Sequence, residues 1–124
     1  MGENQVDLAG SRDRSTDQTA LVALNKLFYE GYMISRAIYV AAQLGVADIL
    51  KDQSMDTKDI AAAVGANADA LYRLLRALAS VGVFTEVKQR HFALTPLAAG
   101  LRTDVPGTLN AYILLWLGIF QSPG

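Results

Sequence analysis

Apolar residues recur at helical spacing early in the chain. Leu21, Leu24 and Phe28 lead, and Met33, Ile34, Ala37, Ile38, Val40, Ala41 and Leu44 continue the pattern beyond Gly31. Steps of three and four place such side chains on one helix face. The second part is apolar around most of its circumference, with only Ser35, Arg36 and Gln43 clearly polar between residues 33 and 44. A helix apolar on several sides must be covered on several sides. A small domain can hardly surround it, so a second chain is the expected cover. Thr16 or Asp17 can cap its start by accepting a free backbone N–H. Gly31 is expected to interrupt it, and Gly45 to break the chain before a short turn of helix over residues 46–51. Residues 1–16 are rich in Gly, Ser, Asp, Arg and Asn without an apolar period. They read as a mobile tail, leaving 17–124 as the folded domain.

The middle of the chain is sharply punctuated. Ser54, Asp56 and Thr57 offer capping oxygens ahead of a helix over about 57–64, which Gly65 stops. Asn67 can cap a longer helix whose apolar set is Ala70, Leu71, Leu74, Leu75, Leu78 and Val81, and Gly82 ends it. Two short strands are predicted next, over about 83–87 and 91–94, joined by the polar turn Lys88-Gln89-Arg90. Thr95-Pro96 opens a further helical turn, since Thr caps and Pro suits a first turn whose N–H goes unbonded. After a linker over 102–107, residues 108–120 form a last helix without a charged side chain.

Helix, glycine turn, longer helix and two-stranded ribbon is the order of a winged helix. The fold class is therefore mainly α: a winged helix-turn-helix with a small two-stranded β-ribbon and extra N- and C-terminal helices forming an intertwined dimer. One function for such a unit is transcriptional regulation, with the second helix in the major groove and the wing on the backbone. Arg73, Arg76, Lys88 and Arg90 are enough for weak phosphate contact. Asp69 at the start of that helix, with Asp56 and Asp59 opening the preceding one, opposes it. The favoured reading leaves these arginines solvated or bonded to neighbouring carboxylates.

Composition narrows the chemistry. The net charge is −1, so no broad positive field attracts nucleic acid. Cysteine is absent and His91 is the single histidine, which removes disulfides, thiolate metal sites and a histidine metal cluster. No catalytic, cofactor-binding or metal residue is nominated: no Ser, His and acid set forms a triad, and the glycines sit singly at helix ends instead of in a phosphate-cradling loop. The first residues are polar, unlike a secretory leader. The uncharged stretch over 109–120 is shorter than the ~18 residues of a membrane span. A cytoplasmic location and no membrane partner are the default expectations.

The run Ala41-Ala42-Gln43-Leu44-Gly45-Val46-Ala47-Asp48-Ile49-Leu50 is followed by Ile60-Ala61 and Gly65. Leu71-Tyr72-Arg73-Leu74-Leu75-Arg76-Ala77-Leu78, Gly82-Val83-Phe84 and Phe92-Ala93-Leu94-Thr95-Pro96-Leu97 follow in order. This ordered set resembles the dimerisation domain of S-adenosylmethionine-dependent O-methyltransferases, including caffeate-type, hydroxyindole and bacterial polyketide-modifying enzymes of secondary metabolism. The likeness extends over about 27–120. It implies a winged helix that no longer reads DNA and a homodimer built on the first helices, with Leu21, Leu24, Phe28, Ile34, Ile38 and Ala41 at the interface. It also implies that S-adenosylmethionine and the chemistry belong to a separate Rossmann-like domain, which this sequence is expected to lack.

The resemblance further implies that this domain helps wall a pocket for an aromatic or polyketide-like acceptor. Tyr29, Tyr32 and Met33 around Gly31, and Tyr112, Leu115 and Trp116 on the last helix, are the candidates, because aromatic and thioether groups can sandwich a planar ring. The plainer reading makes them core or interface residues. Glu30 and Arg36 read as rim charges, and Asp48 as a signature position that terminates or caps local structure. The leading reading is thus a homodimerisation domain of a small-molecule O-methyltransferase, not catalytic alone. A winged-helix regulator and a free-standing adaptor for a full-length methyltransferase are the alternatives.

Overall fold

The computed structural model describes the backbone of residues 11–121 and the side chains of residues 17–116. Helix α1 (Ser11–Leu44) is followed by α2 (Val46–Ile49), β1 (Met55–Asp56), α3 (Thr57–Val64), α4 (Ala68–Ala79), β2 (Thr85–Lys88), β3 (His91–Ala93), a 3-10 turn (Ala98–Leu101) and α5 (Asn110–Gln121). The chain divides into two units, one ending at Met33 and one starting at Ile34. In the first, α1 already includes Ser11, inside the stretch expected to be a tail; the rest of that expectation, residues 1–10, lies outside the described residues. Gly31 does not interrupt α1, which runs unbroken for 34 residues. One glycine costs a helix interior only about 1 kcal/mol relative to alanine, and this helix continues on both sides of it.

The second unit holds the core. Ala37, Ala41 and Ala42 from α1 pack with Val46, Ala47, Leu50, Ile60, Ala61, Leu71, Leu75, Leu78, Val83, Phe84, Phe92, Ala98 and Leu101. Small alanines on α1 allow its backbone to lie close to its neighbours. One side of the later part of that helix is thus buried by its own domain.

The capping chemistry is local and follows the sequence. The Asp56 carboxylate accepts from the Lys58 N–H at 2.9 Å, and Asn67 Oδ1 accepts from the Ala70 N–H at 2.9 Å. At the end of α4 the Val83 N–H donates to the Leu78 carbonyl at 2.9 Å and the Gly82 N–H to the Ala79 carbonyl at 3.1 Å, with Gly82 at φ 87°. That is the Schellman arrangement, in which a left-handed glycine lets orphan carbonyls bond and apolar partners, here Leu78 and Val83, close over the end.

The sheet has three strands, in the order β1-β3-β2, instead of the two expected. Met55 pairs with Phe92 and Asp56 with His91, antiparallel, while β2 pairs with β3 through a bulge between Glu86 and Lys88. Thr57, fully buried, seals the start of α3 to the wing: its N–H and its hydroxyl both donate to the Arg90 carbonyl, at 2.7 and 2.6 Å.

Thr95 joins the wing to the turn that follows. Its hydroxyl donates to the Gly82 carbonyl at 2.8 Å and accepts from the Ala98 N–H at 3.0 Å and the Phe84 N–H at 3.2 Å. Phe84 is fully buried and sits at φ 71°, a left-handed conformation uncommon for a bulky residue. Downstream, the linker is fastened to α2. Asp48 accepts from the Thr103 N–H at 2.8 Å and its hydroxyl at 2.5 Å, so it is a long-range staple and not the local cap expected.

Candidate functional site

The surface of the first unit is unusual for its apolar content. On α1 every described residue from 17 to 33 is exposed. Leu21, Leu24 and Phe28 are 63, 62 and 74% exposed, and Val22, Leu27, Tyr29, Tyr32 and Met33 accompany them. Lys26 and Glu30 form an exposed i,i+4 pair at 3.9 Å, which adds at most a few tenths of a kcal/mol to the helix. Large contiguous apolar patches of this sort mark interaction surfaces. The remaining predicted interface residues belong to the second unit: Ile34 and Ile38 are half-buried, and Ala41 is fully buried. Ala41 therefore presents no surface to a partner, a correction with a simple cause, since periodicity does not tell which side of an apolar helix its own core takes.

The predicted pocket residues fall into two groups. Tyr29, Tyr32 and Met33 lie on α1 in the first unit. Tyr112, Leu115 and Trp116, all at least half exposed, lie on α5 in the second. The opposite side of α5 places Ile113 and Leu114 against the core. Its start is pinned by Asn110, a residue the sequence did not single out. Asn110 is 4% exposed, and its Nδ2 donates to the Leu101 carbonyl at 2.9 Å and the Ala42 carbonyl at 3.3 Å. Upstream of it, the Asp104 carboxylate is chelated by the Arg102 guanidinium at 2.9 and 2.7 Å and reached by Lys51 at 3.1 Å. Arg102, then Lys51, hold that carboxyl far below the usual carboxylate range.

Two of the four cations considered for nucleic acid, Arg76 and Arg90, meet acidic partners, whereas Arg73 and Lys88 stay exposed. Glu86, on β2, accepts from the Arg90 N–H at 2.7 Å and the Tyr72 hydroxyl at 2.9 Å, and faces the Arg76 guanidinium at 3.8 Å. The Arg90 backbone hydrogen bond is the largest influence keeping the Glu86 carboxyl below its ordinary value, with Tyr72 and the two arginines adding to it against partial burial. Arg90 adopts φ 64°, which turns its N–H back toward Glu86. Its guanidinium lies 4.2 Å from the Tyr72 ring centre and 3.4 Å from Asp69. Tyr72 in turn meets Phe92 edge to face, with ring centres 6.0 Å apart. The cluster ties α4 to the wing. It engages Arg76 and Arg90 within the protein, as the reading that bonded them to carboxylates expected.

Among the described residues no group of three His, Cys, Asp or Glu side chains could hold a metal ion. No helix among them is long and apolar enough to cross a membrane. The left-handed glycines, Gly45, Gly65, Gly82 and Gly107, are spread singly along the chain.

A family model, O-methyltransferase dimerisation domain, matches residues 27–104. Phenazine O-methyltransferase PhzM of Lysobacter antibioticus is 42% identical over 85 residues, covering 68% of this chain and 25% of that protein. The structure of CalO1, a methyltransferase in calicheamicin biosynthesis in its SAH-bound form, aligns with a TM-score of 0.71 at 41% identity, covering 81% of this chain and 29% of CalO1. NcsB1, an O-methyltransferase from neocarzinostatin biosynthesis in complex with S-adenosylmethionine and 2-hydroxy-5-methyl naphthoic acid, aligns with a TM-score of 0.61 at 38% identity, covering 65% of this chain and 25% of NcsB1. The chain spans about a quarter of the length of the curated relatives it matches. With its helix–helix–wing order and its surface placed as described, the chain belongs to the O-methyltransferase dimerisation domain family.

Proposed function

We propose that this chain is the homodimerisation segment of an S-adenosylmethionine-dependent small-molecule O-methyltransferase. In this reading it is a winged helix turned from DNA reading to assembly, and α1 interlocks with α1 of a second copy. The observation that carries it is the apolar run on α1, with Leu21, Leu24 and Phe28 each more than 60% exposed. Burying one such side chain is worth roughly 1.5–3 kcal/mol, and a two-fold interface buries each residue twice.

The acceptor reading follows from the relatives. NcsB1 is described with a naphthoic acid and PhzM as a phenazine methyltransferase, so a planar aromatic acceptor is the class proposed here. Tyr29, Tyr32 and Met33 on α1, and Tyr112, Leu115 and Trp116 on α5, would contribute to its wall, through faces that stack and tyrosine hydroxyls that orient. S-adenosylmethionine belongs to the catalytic half of such an enzyme, and no methyl-transfer step is assigned to residues of this chain. The regulator alternative gains no support, because Arg76 and Arg90 are engaged by Glu86, Tyr72 and Asp69.

The test is the molar mass by light scattering, followed to submicromolar concentration, for the chain and for a Leu24→Asp, Phe28→Asp variant. A persistent dimer that becomes a monomer in the variant, with helical circular dichroism retained, is the expected result. A wild-type monomer at every concentration would refute self-association through α1.

A further inference from the structure

Beyond Asn110, the described side chains of α5 form an uncharged, largely apolar run: Ala111, Tyr112, Ile113, Leu114, Leu115 and Trp116. A helix with a polar stripe is rotated into place by that stripe, and this helix has none. Apolar contact alone would hold α5 almost equally well at several rotations, because dispersion and burial are not directional. The chain nevertheless sets Ile113 and Leu114 inward and Tyr112, Leu115 and Trp116 outward.

The directional contacts are at its start. A carboxamide nitrogen carries two hydrogens in a rigid planar fork, and those of Asn110 are directed to two carbonyls from different elements. Ala42 lies in the last turn of α1, and Leu101 is the last residue of the 3-10 turn. Both carbonyls belong to helix ends, and that of Ala42 also accepts from the Gly45 N–H at 3.2 Å. Asn110 thus places the first residue of α5 against two fixed points while being itself 4% exposed. The Leu109 N–H adds a bond to the Gly100 carbonyl at 2.8 Å. A single buried polar group that selects one register from an otherwise permissive apolar interface is a well-attested role for asparagine.

We propose that Asn110 is the positioning residue of α5, setting the rotation at which the helix presents Tyr112, Leu115 and Trp116. Its consequence for acceptor recognition rests on the reading above that these residues wall the pocket; the positioning itself does not.

Trp116 is the single tryptophan, so its fluorescence reports on α5. The Asn110→Leu variant keeps the branched shape and the number of side-chain heavy atoms and removes both donors. In the 124-residue chain, amides over 111–116 should exchange with deuterium roughly ten- to a hundredfold faster than in the wild type, the equivalent of the two lost bonds. Acrylamide quenching of Trp116 should change with them, while protection in α3, α4 and β3 holds. Unchanged exchange over 111–116 overturns the proposal, as does loosening of α3 and α4 in the same proportion, which would make Asn110 a general stability residue. If the variant does not fold, the wild type still decides. Asn110 Nδ2 protons that exchange slowly with solvent by NMR support the proposal, and exchange as fast as that of an exposed asparagine overturns it. Light scattering on the same samples separates this outcome from failure of the dimer reading.

Discussion

Replacing Thr95 by valine tests how the wing is joined to the rest of the domain. Valine keeps the β-branched shape and removes only the hydroxyl, which serves three partners: the Gly82 carbonyl and the N–H groups of Phe84 and Ala98. The Ala98 bond is an N-cap, worth about 1 kcal/mol. Phe84 and Ala98 are fully buried residues, so their N–H groups have little access to water once the oxygen is gone. An unsatisfied buried donor costs roughly 1–3 kcal/mol. Phe84 is also held at φ 71°, a left-handed conformation disfavoured by about 1–2 kcal/mol, and the hydroxyl is one of the contacts that keeps it there. Thr95 is itself half-buried, and water can replace part of what is lost, so the expected destabilisation is about 2 kcal/mol, toward the low end of the sum. That corresponds to a fall of roughly 10 °C in Tm for a domain of this size. The assay is urea unfolding followed by circular dichroism at one fixed protein concentration, since self-association adds a concentration-dependent contribution. The midpoint should fall with the slope unchanged, and Thr95→Ser should recover most of the loss. A Thr95→Val chain within about 0.5 kcal/mol of wild type, or a serine variant as damaged as the valine one, would refute the reasoning.

Two further outcomes are expected. Gly82→Ala should destabilise by about 1–2 kcal/mol through its left-handed backbone, because the added Cβ would meet only Leu97 Cδ2, at an ordinary 3.8 Å, and φ is 87°; a stabilised variant in the same urea assay would contradict the cap geometry. Glu86→Gln tests the helix–wing cluster through pH. The folded Glu86 carboxyl titrates below its ordinary value of 4.5, so the stability it contributes is complete above that pH and lost as the pH falls through the folded value. Tm measured from pH 7 down to about 3 should therefore decline less steeply in the glutamine variant, and parallel curves would count against Glu86 as the hub.

What was legible in the sequence was what is local. Asn67, Asp56 and Thr95 cap where they were expected to, since a side-chain oxygen and the N–H two or three residues on are close in any helix start. Gly65 and Gly82 end helices for an equally local reason. Strand β1 was not legible: Met55 and Asp56 become a strand only because Phe92 and His91 come alongside. Asn110 was missed because asparagine ahead of a helix reads as a cap or turn residue, whereas its partners, Ala42 and Leu101, are supplied by tertiary structure. Ala41 was assigned to a partner and lies in the chain's own core, since hydrophobic periodicity identifies a face but not what covers it. The exposed run on α1 was the clearest functional signal, because Leu21, Leu24 and Phe28 recur at helical spacing and stay exposed.

The distribution of unsatisfied surface separates the two uses of a winged helix. A unit that reads DNA must keep its cations available, since affinity for a duplex comes largely from phosphates exchanging counterions for Lys and Arg. Here Glu86 meets the Arg76 guanidinium and the Arg90 backbone N–H at the seam between α4 and the wing, and Asp69 receives the Arg90 guanidinium at the helix start, while Arg73 and Lys88 stay exposed. Releasing the Arg90 guanidinium for a phosphate would give up its contacts with the Tyr72 ring and Asp69. Recruiting Arg76 or Arg90 to a ligand would therefore compete with contacts made inside the chain. Nothing comparable restrains Leu21, Leu24 and Phe28, whose burial against an apolar partner displaces water and breaks no bond described in this chain. Large apolar groups turned outward along α1 are matched by a second apolar protein surface better than by a polyanion.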